Sequence, residues 1–129
     1  MRNNPLHTQI GGDHYKKKKM QPIELICALD LNFIQGCIVK YVTRCEDKNG
    51  LEDLVKITHY AELGMFLNPA NHALAYGING FNSIFARYCE ENNLNSAQSF
   101  VIYYAITQNW DSITFNTNKL IEEWNNKNR

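Results

Sequence analysis

The chain has 129 residues and a mass of 15.0 kDa, with 13 Lys+Arg set against 13 Asp+Glu and 44% hydrophobic residues. That length supports one hydrophobic core and leaves little room for a second. The composition excludes wholesale disorder, and zero net charge excludes a molecule that binds DNA or membranes through its overall charge.

Residues 1–20 read as an irregular arm, because Pro5, the Gly11-Gly12 pair and the Lys16–Lys19 run all disfavour a packed element. Pro22 suits the first turn of a helix, which Ile23, Leu25, Ile26 and Leu29 supply with an apolar stripe. A second helix is expected from Phe33, with Ile34, Ile38, Tyr41, Val42 and Cys45 along one face. Asp47-Lys48-Asn49-Gly50 is a turn signal. A third helix runs from about Leu51 to Phe66, with Leu54, Ile57, Ala61 and Met65 facing inward, and Asn68-Pro69 ends it.

In the second half, Gly77 and Gly80 are expected to flank a loop, with a short strand possible over 73–78. Phe81, Ile84, Phe85 and Tyr88 then form a helical stripe. Asn95 or Ser96 caps a helix carrying Phe100, Val101, Tyr104 and Ala105, and Asp111 or Ser112 caps the last helix, with Ile113, Leu120, Ile121 and Trp124 inward. No internal repeat is apparent. The expected fold is all-α, a single compact domain of about six helices behind the arm. No apolar run approaches the roughly 20 residues of a membrane span, and no signal-like apolar stretch opens the chain, so a cytoplasmic location is expected.

Cys27, Cys37, Cys45 and Cys89 lack the short spacing of a zinc site, so no metal is expected and the thiols read as reduced and mostly buried. Cys37 is the best candidate for a reactive one. Phosphate loops, dinucleotide fingerprints and HExxH are missing. What is present is a polar face on two consecutive helices. Cys37, Lys40 and Arg44 share one line of the second helix; on the third, Glu52, Lys56 and His59 share one line and Asp53, Lys56 and Tyr60 an adjacent one. A short turn makes these helices antiparallel neighbours, so both lines can face one cleft that binds phosphate oxygens. The competing reading is a solvated face laced by salt bridges. The Lys16–Lys19 run is either a solvated arm or a phosphate-attracting one, and His14 and Tyr15 beside it favour a role at the cleft. The aromatics Phe81, Phe85, Tyr103, Tyr104, Trp110 and Trp124 sit at helical spacing and read as core.

Several short segments resemble a phage family catalogued as domain of unknown function 3310. They are Gly12-Asp13-His14-Tyr15-Lys16, Gln21-Pro22-Ile23-Glu24, Phe33-Ile34-Gln35-Gly36, Ile38-Val39-Lys40-Tyr41-Val42-Thr43-Arg44, Lys48-Asn49-Gly50-Leu51-Glu52-Asp53-Leu54, and Lys56 with His59-Tyr60. The likeness spans about residues 12–66 and departs from the family at Cys37, where Asn is common, and at Cys45, where an aromatic is. Family members are labelled phage nucleotide kinase-like. The resemblance therefore implies a nucleotide-handling protein that phosphorylates nucleoside monophosphates without a Walker motif, with ATP or another nucleotide as donor. It implies a site of His14, Tyr15, Lys16, Lys40, Tyr41, Arg44, Lys56 and Tyr60 around the substrate, with Asp53 and His59 in catalysis. Residues 1–68 would form this part, and 69–129 a helical extension packed on it.

Two other functions fit the sequence. One is a phage counter-defence protein that sequesters a signalling nucleotide or inhibits a host nuclease such as a CRISPR effector; the other is a scaffolding helical protein. Seven Tyr, six Phe and two Trp exceed what such a monomer readily buries, so a homo-oligomer is expected.

Overall fold

Two Asn-x-x-Gln segments begin the two central helices. Asn32 accepts from the Gln35 backbone N–H at 2.9 Å while the Gln35 side chain accepts from the Asn32 N–H at 2.9 Å; Asn95 and Gln98 repeat the exchange at 2.8 and 3.0 Å. These reciprocal caps satisfy backbone donors that a helix start leaves open. The chain, seen in a computed structural model, is described at residues 4–7, 20–47 and 49–128, apart from the side chains of Ile78 and Asn79. These residues form α1 (Pro22–Ala28), α2 (Phe33–Thr43), α3 (Gly50–Leu67), α4 (Gly77–Glu91), α5 (Ser96–Thr107) and α6 (Trp110–Lys127), with 3-10 turns at Pro5–His7 and Ala73–Tyr76. There is no strand among them, and the expected all-α fold holds. No helix among the described residues is long and apolar enough to cross a membrane.

Helices α2, α3, α6 and α5 pack in that cyclic order as a four-helix bundle, with α1 laid on α2 and α4 beside the second 3-10 turn. Antiparallel pairing of α2 with α5 is written in hydrogen bonds. The Gln35 amide donates to the Ala105 and Ile106 carbonyls at 3.0 and 3.2 Å, at the far end of α5; the Gln98 amide donates to the Val42 carbonyl at 3.0 Å, at the far end of α2. Both glutamines are buried. One core joins both halves of the chain, with Ile38, Val39 and Val42 of α2, Leu54 and Ile57 of α3, Val101 and Ile102 of α5 and Ile113 of α6 in a single cluster.

Three local expectations are corrected. Over 73–78 the chain makes a 3-10 turn (Ala73–Tyr76) and enters α4 rather than forming a strand, and Gly77 and Gly80 lie in α4 rather than flanking a loop. The last helix starts at Trp110, because Asn109 caps it by accepting from the Ser112 N–H at 3.3 Å. Met65 is 55% exposed and Phe100 51%. The inward stripe of α3 ends at Gly64 instead, where the Trp110 indole fills the groove: a Cβ at Gly64 would lie 2.6 Å from that ring. The bulk is supplied from α6, so Met65 is left outside. Of the aromatics read as core, Phe81 and Trp110 are buried, and Phe85, Tyr103, Tyr104 and Trp124 are half-buried against the core; Phe33, Phe66, Phe100 and Phe115 are exposed.

Two predictions follow from this packing. Gly64→Ala forces the indole or α6 to move and should cost about 1–3 kcal/mol in urea unfolding; an unchanged midpoint would refute the close approach. The second concerns Cys45, a buried thiol that burial pushes from 9.0 up to about 12, against the lowering effect of its hydrogen bond from Gln98. The folded protein keeps this proton while the unfolded chain loses it above about pH 9. Its contribution is therefore complete below pH 9 and lost as the pH rises toward 12. Stability should fall over that interval, with a shallower slope in Cys45→Ala, and the exposed Cys27 should alkylate well before Cys45 at pH 8.

Candidate functional site

Arg44 follows the last residue of α2, and Asp53 sits one turn into α3. The turn between them brings guanidinium and carboxylate together as a bidentate pair, Nε to Oδ2 at 3.0 Å and Nη2 to Oδ1 at 3.1 Å. Asp53 is 2% exposed and the Arg44 side chain 25%. Asp53 occupies a position in the inward stripe of α3, and a carboxylate is tolerated there because both oxygens accept charge-assisted hydrogen bonds.

Beyond this pair, three cations converge on one ring. Lys40 Nζ lies 4.6 Å from the Tyr41 centroid, the Arg44 guanidinium carbon 5.1 Å and Lys56 Nζ 5.1 Å. The negative face of the phenol makes each approach favourable and holds like charges in one neighbourhood. Lys56, its side chain 40% exposed, also reaches the more exposed Glu52 at 3.4 Å. Lys40 has no carboxylate within ion-pair distance among the described residues.

An aromatic ledge continues from this cluster. Tyr41 stacks with Tyr60 at 6.0 Å between centroids, and Phe33 meets Tyr60 edge-on at 6.1 Å while remaining 75% exposed. A hydrogen bond with Cys37 raises the Tyr60 phenol above its ordinary 10.0, with burial adding to the shift, so Tyr60 is the neutral phenol at physiological pH. His59 lies beside Tyr60, exposed, with 6.1 Å between the ring centres.

Two small recesses open between α1 and α2 and share Ile26 and Lys40. One, of about 230 Å³, is lined by Ile26, Leu31, Phe33, Gly36 and Cys37; the other, of about 150 Å³, by Gln21, Pro22 and Ile23. Together they form an apolar groove that ends at a lysine. Roomier clefts lie elsewhere, of about 360 Å³ beside Glu46, Asp47 and Glu123 and about 610 Å³ beside Arg87, Glu90 and Glu91. Their carboxylates repel an anion, which favours the smaller groove as the neighbour of the cationic cluster.

Of the residues singled out from sequence, Lys40, Tyr41, Arg44, Asp53, Lys56 and Tyr60 form one cluster, and His59 stands at its margin. His14, Tyr15 and Lys16 lie outside the described residues. Phe33 was missed as part of this face, although Phe33, Cys37, Lys40 and Arg44 fall on one helical line and that periodicity marked it. The Arg44–Asp53 pair was not legible from spacing, since the residues belong to different helices.

Residues 5–62 match the profile of a family described as protein of unknown function (DUF3310). The matched segment is the one that builds α1, α2 and most of α3, and so carries the whole cationic cluster. No curated protein and no solved structure matches the chain.

The pair also predicts its own energetics. Arg44→Ala leaves a buried carboxylate without its partner and should cost about 1–3 kcal/mol of stability, with Arg44→Lys recovering only part because an ammonium lacks the fork. A double-mutant cycle of Arg44→Ala with Asp53→Asn measures the coupling, and a value near zero would show that the pair is merely wet.

Proposed function

We propose that this protein binds nucleotides, with phosphate oxygens at Lys40, Arg44 and Lys56 and the sugar and base extending along the apolar groove toward Phe33. The observation that supports it most is the gathering of three cations from two helices around the Tyr41 ring. An anion placed among them relieves their mutual repulsion, and Arg44 contributes a charge whose position Asp53 holds. Phe33 offers a base an exposed face for stacking.

The reaction implied by the family resemblance is phosphoryl transfer to a nucleoside monophosphate from ATP or another nucleotide. That chemistry needs positioning and charge neutralisation more than covalent help. Asp53, with both oxygens engaged by Arg44, acts in this reading as a positioning residue; His59 is the group left to orient or deprotonate the acceptor. The same engagement of Asp53 favours a second reading, in which the nucleotide is held without turnover, as a phage counter-defence protein would sequester a signal. The exposed Phe66 and Phe115 are the surfaces on which self-association would rest.

Lys40→Ala removes a charge that supports no ion pair, so the fold should be unaffected while affinity for nucleoside monophosphates and ATP falls about tenfold, roughly 1.5 kcal/mol. Calorimetry reads the affinity and a coupled assay reads turnover. Turnover above the Lys40→Ala background supports the kinase, stoichiometric binding with unmodified nucleotide recovered supports sequestration, and no binding of any nucleotide overturns both.

A further inference from the structure

A shift of 63 residues carries the last turn of α1, α2 and α3 onto the last turn of α4, α5 and α6, although α1 packs on α2 more closely than α4 does on α5. Leu31-Asn32-x-x-Gln35 becomes Leu94-Asn95-x-x-Gln98, Tyr41 becomes Tyr104 and Lys56 becomes Lys119. At the entry to α2 and α5 the backbone follows the same shift, while the turns after them differ, Gln108 having a φ of 56° and α3 starting three residues later than the shift would place it. Asp30 and Asn93, just before the shared motif, both have φ of 52°. The preceding helices end with equivalent bonds: the Leu31 N–H donates to the Ile26 carbonyl at 2.9 Å, and the Leu94 N–H to the Cys89 carbonyl at 3.1 Å. Burial repeats as well, with Ile38, Val39 and Ile57 answered by Val101, Ile102 and Leu120, all in the core. Ile26 touches the place where a Cβ on Gly36 would stand, and their counterparts Cys89 and Ser99 are hydrogen-bonded.

The contact between the halves obeys the rule too. Gln35 donates to the Ala105 carbonyl and Gln98 to the Val42 carbonyl, both at 3.0 Å, and each bond is the other's image under the 63-residue shift. In the same way α3 and α6 run antiparallel, with Gly64 against Trp110 at one end and Gly50 against Trp124 at the other. Two unrelated helical hairpins packed together have no reason to share such a register; two copies related by a two-fold axis must.

We infer that residues 25–64 and 88–127 are two copies of one three-helix unit, closed on each other as a dimer within a single chain, and that the first copy alone keeps the anion site. The counterparts of Lys40, Arg44 and Asp53 are Tyr103, Thr107 and Asn116. Lys119 is retained, but its ammonium lies over the Phe115 ring at 4.6 Å, where Lys56 faces Glu52. The second copy supplies the other half of the core while its site has lost the paired arginine and carboxylate. The family profile stops at residue 62, within the first copy. The one-site part of this inference rests on the proposed nucleotide reading; the duplication does not.

Two experiments separate the parts. In a chain with the units in reverse order, residues 69–129 followed directly by 1–68, every residue is kept. The first connection, between Gly64 and Tyr88, has 23 residues (65–87); the new one, between Lys127 and Leu25, has 26 (128–129 and 1–24). A two-fold relation makes the two spans equal, so the reordered chain should show the helical content and cooperative melt of the original; failure to fold overturns the duplication. For the site, the natural chain titrated with inorganic tripolyphosphate should bind one per chain, with Lys56→Ala about tenfold weaker and Lys119→Ala within about twofold of wild type. Two ions per chain, or equal losses at both lysines, overturn the single site. No binding at all overturns the nucleotide reading and the single site with it, while the reordered chain still decides the duplication.

Discussion

Two buried glutamines govern the arrangement of this bundle. Each completes a helix cap through its carbonyl oxygen and spends its amide hydrogens on carbonyls at the far end of the facing helix. A buried amide left without partners costs about 1–3 kcal/mol, so a slip of α2 along α5 would be penalised at both ends together. Apolar side chains alone tolerate such slips, since one Ile or Val replaces another at little loss. The glutamines turn a generic apolar contact into one register. Short turns after α2 and α5 then deliver α3 and α6 to their places.

That register decides the electrostatics of the exposed face. With α2 and α3 held antiparallel, the carboxylate of Asp53 meets the fork of Arg44, and a group that would otherwise be intolerable in the core becomes an anchor. The anchor aims a guanidinium toward Tyr41, where two lysines from different helices already point. Like charges so placed repel, modestly in high dielectric and more as a ligand excludes water. In the proposed nucleotide reading an anion seated there offsets this repulsion, and the apolar groove beside Lys40 would give it a direction in which to extend.

The helices and most of their core were legible because apolar periodicity and Asn or Pro punctuation are local signals. Met65 escaped that logic: it satisfies the period, yet a tryptophan from α6 fills the space at Gly64, and bulk from another element is invisible to a one-helix argument. The convergence of Lys40, Arg44 and Lys56 was legible in outline from line spacing plus a short turn; the same line includes Phe33, but only the structure shows its edge-on contact with Tyr60. The 63-residue relation hid for a different reason. Helical cores accept Ile for Val and Leu for Ile, so two copies drift in letters while keeping burial, and few positions stayed the same, the capping Asn and Gln among them because their hydrogen bonds have no substitute.

By itself the sequence determined an all-α chain of about six helices, the residues that start and stop the first three and α5, and a line of cations on α2 with another on α3. These follow from periods of 3.6 residues and from side chains that bond their own backbone. Tertiary structure alone decided that Arg44 grips Asp53, that Lys56 joins Lys40 and Arg44 around one tyrosine ring, and that each glutamine closes the opposite helix. The ion pair joins residues 9 positions apart and the glutamine bonds residues 56 to 71 apart, and no local rule specifies a partner at such distance; it is fixed only when the whole core has packed.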